Sequence, residues 1–130
     1  MDLRPSGRVV VTGIGAVTPL GTGIELAWPR LLAGENGIDT IQGMDASAYA
    51  THFAAEVKDF DPENYLERRE ARRIDRFIAY AVGAARMALD DSAFKLDESN
   101  AEWVGALIGS GVGGHNVLSE NARRLILEGP

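Results

Sequence analysis

The chain has 130 residues, 45% of them hydrophobic and 25% charged, which fits one ordinary soluble globular unit or part of a larger one. It contains no cysteine, so disulfides, thiolate metal sites and a cysteine nucleophile are excluded for the sequence as it stands. The formal net charge of −6 argues against general nucleic-acid binding.

The opening residues, Met1-Asp2-Leu3-Arg4-Pro5-Ser6-Gly7, lack the apolar core of a signal peptide. No later apolar run is long enough to span a bilayer, so a cytoplasmic protein is expected. Arg8-Val9-Val10-Val11-Thr12 is β-branched and apolar without alternation, the pattern of a strand covered on both faces, and Gly13-Ile14-Gly15 stops it. Thr18-Pro19-Leu20-Gly21 is turn chemistry. Ile24, Leu26, Ala27, Leu31 and Leu32 then predict a helix, capped by Thr22 and stopped at Gly34, with Pro29 awkwardly inside it. Residues 37–62 read more loosely; Phe53, Ala55, Val57 and Phe60 indicate an extended edge segment. Asp61-Pro62-Glu63 opens a short helix, because aspartate caps and proline suits the first turn.

The clearest helix is expected over about 70–91, where Ile74, Phe77, Ile78, Ala81, Ala84, Ala85, Ala88 and Leu89 repeat at helical spacing. Trp103-Val104-Gly105-Ala106-Leu107-Ile108 predicts a second buried strand, followed by a glycine loop and a helix carrying Val117, Leu118, Ala122, Leu125 and Ile126. Strands alternating with helices define an α/β class.

Gly109, Gly111 and Gly114 match G-x-G-x-x-G between the second strand and the last helix, so two readings stand: a nucleotide-binding turn or a tight packing turn. No acidic residue follows at the distance a dinucleotide site needs. No phosphate-binding G-x-x-x-x-G-K-[ST] occurs, and His52 and His115 lack neighbours that would make a metal or nucleophile pattern.

Residues 67–76 hold five arginines against Glu67, Glu70 and Asp75, a local +2 in an otherwise acidic chain. Arg69, Arg72, Arg73 and Arg76 follow i, i+3, i+4, i+7 and would share one face of a helix. Such a stripe is either a solvated face laced to Glu70 and Asp75 or a dock for an acidic partner.

In their order these segments resemble the β-ketoacyl-acyl-carrier-protein synthases. Val9-Val10-Val11-Thr12-Gly13-Ile14-Gly15 with Thr18-Pro19-Leu20-Gly21 is similar to the family's opening strand and turn. Trp28, Leu31-Leu32-Ala33-Gly34 and Gly37-Ile38 resemble its first helix and exit. Ser47-Ala48-Tyr49-Ala50-Thr51, Phe53-Ala54 and Val57-Lys58-Asp59-Phe60 resemble the elongating type, and Arg72-Arg73-Ile74-Asp75-Arg76-Phe77 with residues 108–114 completes the set.

The resemblance implies a thiolase-like fold, a layered α/β/α sandwich that this chain holds only in part. Residues 1–130 would be the N-terminal part of the synthase's N-terminal domain, ending before the catalytic cysteine. It further implies a homodimer that extends acyl groups with malonyl units on acyl carrier protein; no cofactor, metal, nucleic acid or membrane is expected to take part. Arg69, Arg72 and Arg73 match the basic positions that meet the carrier protein. Gly111 and Val112 match the wall of the acyl pocket. No catalytic residue is expected within the chain, which alone should be inactive and poorly stable, with apolar surfaces left uncovered. A naturally short non-catalytic protein that binds carrier protein or a full-length synthase, and a nucleotide-binding α/β domain, are the alternatives.

Overall fold

Thr18 closes the first hairpin with its own hydroxyl. In the computed structural model, which describes residues 7–129, β1 (Val17–Thr18) pairs antiparallel with β2 (Gly21–Thr22) across Pro19-Leu20. Thr18 Oγ1 accepts from the Leu20 N–H at 3.2 Å and donates to the Gly21 carbonyl at 3.1 Å. Residues 1–6, which entered the signal-peptide argument, and Pro130 lie outside the described residues.

α1 (Ile24–Leu32) forms where its apolar spacing predicts, but its cap differs. Gly23, at φ 93°, occupies the N-cap without a side-chain bond, whereas the Thr22 hydroxyl donates to the Asp59 carbonyl at 3.2 Å. Pairing of Thr22 with Val17 commits it to the hairpin and passes the cap to the next residue. The stop falls as expected: Gly34 at φ 71°, with Gly34 N–H to Leu31 C=O and Glu35 N–H to Arg30 C=O, is a Schellman ending. Pro29 lies inside the helix and has no hydrogen for the Glu25 carbonyl. Replacing it by alanine restores that donor, so P29A is expected to stabilise the protein by about 1–2 kcal/mol. A higher urea midpoint with an unchanged slope would show it.

β3 (Asp39–Thr40) and β4 (Phe53–Ala54) make a second two-residue antiparallel ladder, locating the expected edge segment and limiting it to Phe53 and Ala54. Lys58 Nζ lies 2.7 Å from Asp39 Oδ2 beside it, and this hydrogen bond is the main reason the Asp39 carboxyl is held below its usual value. A 3₁₀ turn over Pro62–Asn64 begins as predicted, with Asp61 Oδ1 accepting the Glu63 N–H at 2.9 Å.

The long predicted helix is two helices. α2 (Arg68–Ala71) ends at Arg72, and α3 (Arg76–Ser92) starts from Asp75, whose ψ of 152° is extended. Helical spacing runs through residues 72–75 without registering this break, because Ile74, half-buried there, satisfies the apolar pattern from a turn. α3 carries the core. Gly83 is buried under Phe60 and Tyr65, whose rings stack at 5.4 Å, and Tyr80 meets Phe60 edge-on at 5.0 Å. Aromatic contacts of this kind contribute beyond their buried area.

Neither predicted β-branched strand forms a ladder among the described residues. Residues 8–12 have no strand partner, with Val9 99% exposed. Ala101–Trp103 is a 3₁₀ turn, and 104–108 follow without pairing, Leu107 being 99% exposed. A strand needs a neighbour for its backbone groups, and sequence propensity cannot supply one. Thr12, at the end of the first segment, and residues 104–108 nonetheless line one apolar cleft of about 600 Å³ along Ala85, Ala88 and Leu89 of α3. α4 (His115–Glu128) ends the described chain. Helices with two short ladders make a small α/β structure; its buried apolar side chains among the described residues are Ala27 and Ala79.

Candidate functional site

The break between α2 and α3 gathers the arginines differently from a single helix. Arg68, Arg69, Arg72 and Arg73 line a shallow depression of about 350 Å³ at the turn. Arg76 leaves the group: its Nη2 donates to the Val57 carbonyl at 3.3 Å, and its guanidinium stands 5.5 Å from the Tyr80 ring centre. The expected four-residue stripe on one helical face is therefore corrected, because Arg69 lies on α2, Arg72 caps it, Arg73 is in the turn and Arg76 begins α3.

Arg68 is the member that sequence spacing missed; its place four residues before Arg72 was the available signal. Glu63 restrains it through an Nε–Oε1 ion pair of 3.4 Å. Arg69, Arg72 and Arg73 form no ion pair among the described residues, so the lacing to Glu70 and Asp75 expected of a merely solvated face is not present. Three exposed guanidinium groups thus lie together without counterions among the described residues, leaving a local positive field at the turn.

Beyond the turn lies the glycine loop. Gly109 and Gly111 face open space, and Val112 is 73% exposed. Gly113 lies against the Phe77 ring, and Gly114, at φ 77°, is the N-cap of α4. A cleft of about 390 Å³ between the starts of α3 and α4 runs from Arg73 past Phe77 to Gly114 and Asn121, so the arginine turn and the loop are neighbours. The dinucleotide pattern requires a strand before its glycines, and residues 104–108 form none; the loop lacks the context of a nucleotide turn. His115, the first residue of α4, is exposed, as is His52. No group of three or more His, Cys, Asp or Glu is placed to hold a metal among the described residues.

The structure overlays ketosynthase chains, which sets its class. One is a type II PKS acyl-carrier protein in complex with its ketosynthase bound to the hexaketide: TM-score 0.73, 28% identity, 92% of this chain and 32% of that one. Another is the ishigamide ketosynthase/chain length factor: TM-score 0.61, 36% identity, 66% of this chain and 21% of that one.

Residues 6–127 match the beta-ketoacyl synthase N-terminal domain, and the chain belongs to that family. It is similar to 3-oxoacyl-[acyl-carrier-protein] synthase 2 of Synechocystis sp., 46% identical over 123 residues covering 95% of this chain and 30% of the relative. The Vibrio harveyi protein of the same name is 44% identical over the same shares. The chain thus spans about 30% of the length of the curated relatives it matches.

Proposed function

We propose that this chain is the N-terminal portion of an elongating 3-oxoacyl-[acyl-carrier-protein] synthase. The observation that carries the reading is the 46% identity, over 95% of the chain, to a relative bearing that name. In this reading residues 1–130 belong to the first layers of a thiolase-like α/β/α sandwich that works as a cytoplasmic homodimer. The apolar cleft along α3, lined by Thr12, Gly13 and residues 104–108, supports it as the place where a sheet would stack on the helix. No helix among the described residues is long and apolar enough to cross a membrane.

Arg69, Arg72 and Arg73 receive the acidic carrier protein, and Gly111 and Val112 belong to the wall of the acyl pocket. An acyl group resting as a thioester on a cysteine is attacked by the carbanion left when a carrier-bound malonyl unit loses carbon dioxide. A carbon–carbon bond forms, the sulfur leaves as thiolate, and the 3-oxoacyl product stays on the carrier. This chain supplies docking and pocket surface; it has no cysteine to accept the acyl group.

The test is condensation by the full-length gene product with acyl- and malonyl-carrier protein, beside residues 1–130 alone. Expected are 3-oxoacyl product and carbon dioxide from the former and none from the latter. A full-length product that binds carrier protein without condensing would replace the enzyme with a carrier-binding protein, and product from residues 1–130 alone would overturn the assignment of roles.

A further inference from the structure

The start of α3 faces two ways. Arg72 and Arg73 precede it on the docking side, while Phe77, its second residue, lies beneath the glycine loop. A Cβ built on Gly113 would stand 2.6 Å from Cε2 and Cζ and 2.8 Å from Cε1 of that ring. A side chain at this position would have to displace the ring, whose tip occupies the space. A second tie runs alongside: Asp75 Oδ2 accepts the Val117 N–H at 3.5 Å, one of the donors that the first turn of α4 leaves unmatched. The opposite end of the loop has no such support, since Gly109 and Gly111 have nothing within 4 Å of a built Cβ. Loop height is thus set where Gly113 touches Phe77, one residue from Val112.

We infer that Phe77 is a positioning residue that fixes the glycine loop and, through Val112, the length of acyl chain admitted. The inference rests on the reading of Val112 as pocket wall. With the ring tip removed, the loop settles toward α3 and Val112 withdraws, making room for a longer chain. A methyl at Gly113 meets the ring instead and drives the loop off its seat. Pockets discriminate by about 10- to 200-fold per methylene, so a small change of loop height is measurable in acyl preference. Displacement of about 1 Å can lower turnover by up to about a hundredfold.

The test is a double-mutant cycle in the full-length synthase with acyl-carrier substrates of successive lengths. F77L, which keeps an apolar anchor but loses the ring tip, is expected to raise the rate ratio of the longer to the shorter acyl substrate about tenfold. G113A is expected to lower kcat about tenfold. Combining them should recover kcat to within about threefold of wild type, because the methyl then fills the space the ring vacated. The KM for carrier protein should stay constant throughout, since the arginines are untouched. An unchanged length ratio in F77L, or a double variant no better than G113A, overturns the inference. Wild type failing to condense would instead overturn the parent proposal. If either single variant proves insoluble, the double variant decides: recovered folding and kcat sustain the seat, and continued insolubility overturns it.

Discussion

Reversing charge at the α2–α3 turn, with R72E and R73E together, is expected to weaken binding of acidic carrier protein by about a hundredfold at low salt. The size follows from the site. Both side chains are exposed and free of ion pairs among the described residues, so their charge is available to a partner. Reversal also turns two attractions into repulsions beside Arg69, which alone opposes the change without restraint, Arg68 being tied to Glu63. The defect should shrink as salt rises, because the Debye length falls to about 8 Å at physiological ionic strength. Unfolding curves should coincide with wild type, since neither guanidinium holds a hydrogen bond or ion pair within the described chain. Carrier titration at two salt concentrations, with urea unfolding of the same variant beside it, measures all of this. Undiminished binding would move the carrier to another surface, and loss of folding along with binding would make the arginines structural.

The second large effect is expected at Gly15. A Cβ there would overlap the Ala84 carbonyl oxygen and come within 2.7 Å of the Ala88 nitrogen and 2.9 Å of the Ala84 carbonyl carbon. These are backbone atoms of α3, so no rotamer relieves the contact; either the 13–15 segment or the helix must move. G15A is expected to cost about 3 kcal/mol and G15V more, the scale of overpacking into a rigid neighbour. Gly13 stands one contact away, against the Ala88 carbonyl and Ser92, and Asp91 fastens the segment by accepting the Ile14 N–H at 2.8 Å. G105A is the control: nothing lies within 4 Å of its built Cβ, so its change should stay within about 0.5 kcal/mol. Urea denaturation of the three variants checks the order. Equal losses at Gly15 and Gly105 would mean that the segment does not pack on α3. A stability effect of this size is large against the typical 5–15 kcal/mol of a folded domain.

Much of the local structure is legible in the residues. α1, its ending at Gly34, the Asp61-Pro62 turn and most of α3 and α4 follow from spacing and caps, which act within a few residues along the chain. The family was legible too, because short motifs in a fixed order carry it even where no single one is specific.

The cap at Gly23 was not readable, since Thr22 was equally suited to it and a hydrogen bond to Asp59, thirty-seven residues away, decided the matter. Nor was the break at 72–75, which the apolar period of Ile74, Phe77 and Ile78 spans as smoothly as a continuous helix would. That break redrew the basic site, adding Arg68 and sending Arg76 to Val57 and Tyr80. The strands at 8–12 and 104–108 are where sequence signal and structure part most. Their residues favour extended backbone, but a ladder is a property of two segments, and among the described residues the second is not supplied.

Sequence alone determined α1 with its stop at Gly34, most of α3 and α4, the family, and the absence of cysteine from these 130 residues. Tertiary structure alone decided which arginines converge and that Phe77 lies where Gly113 has no side chain. Propensity and capping energies are local, whereas convergence and close approach depend on chain segments tens of residues apart.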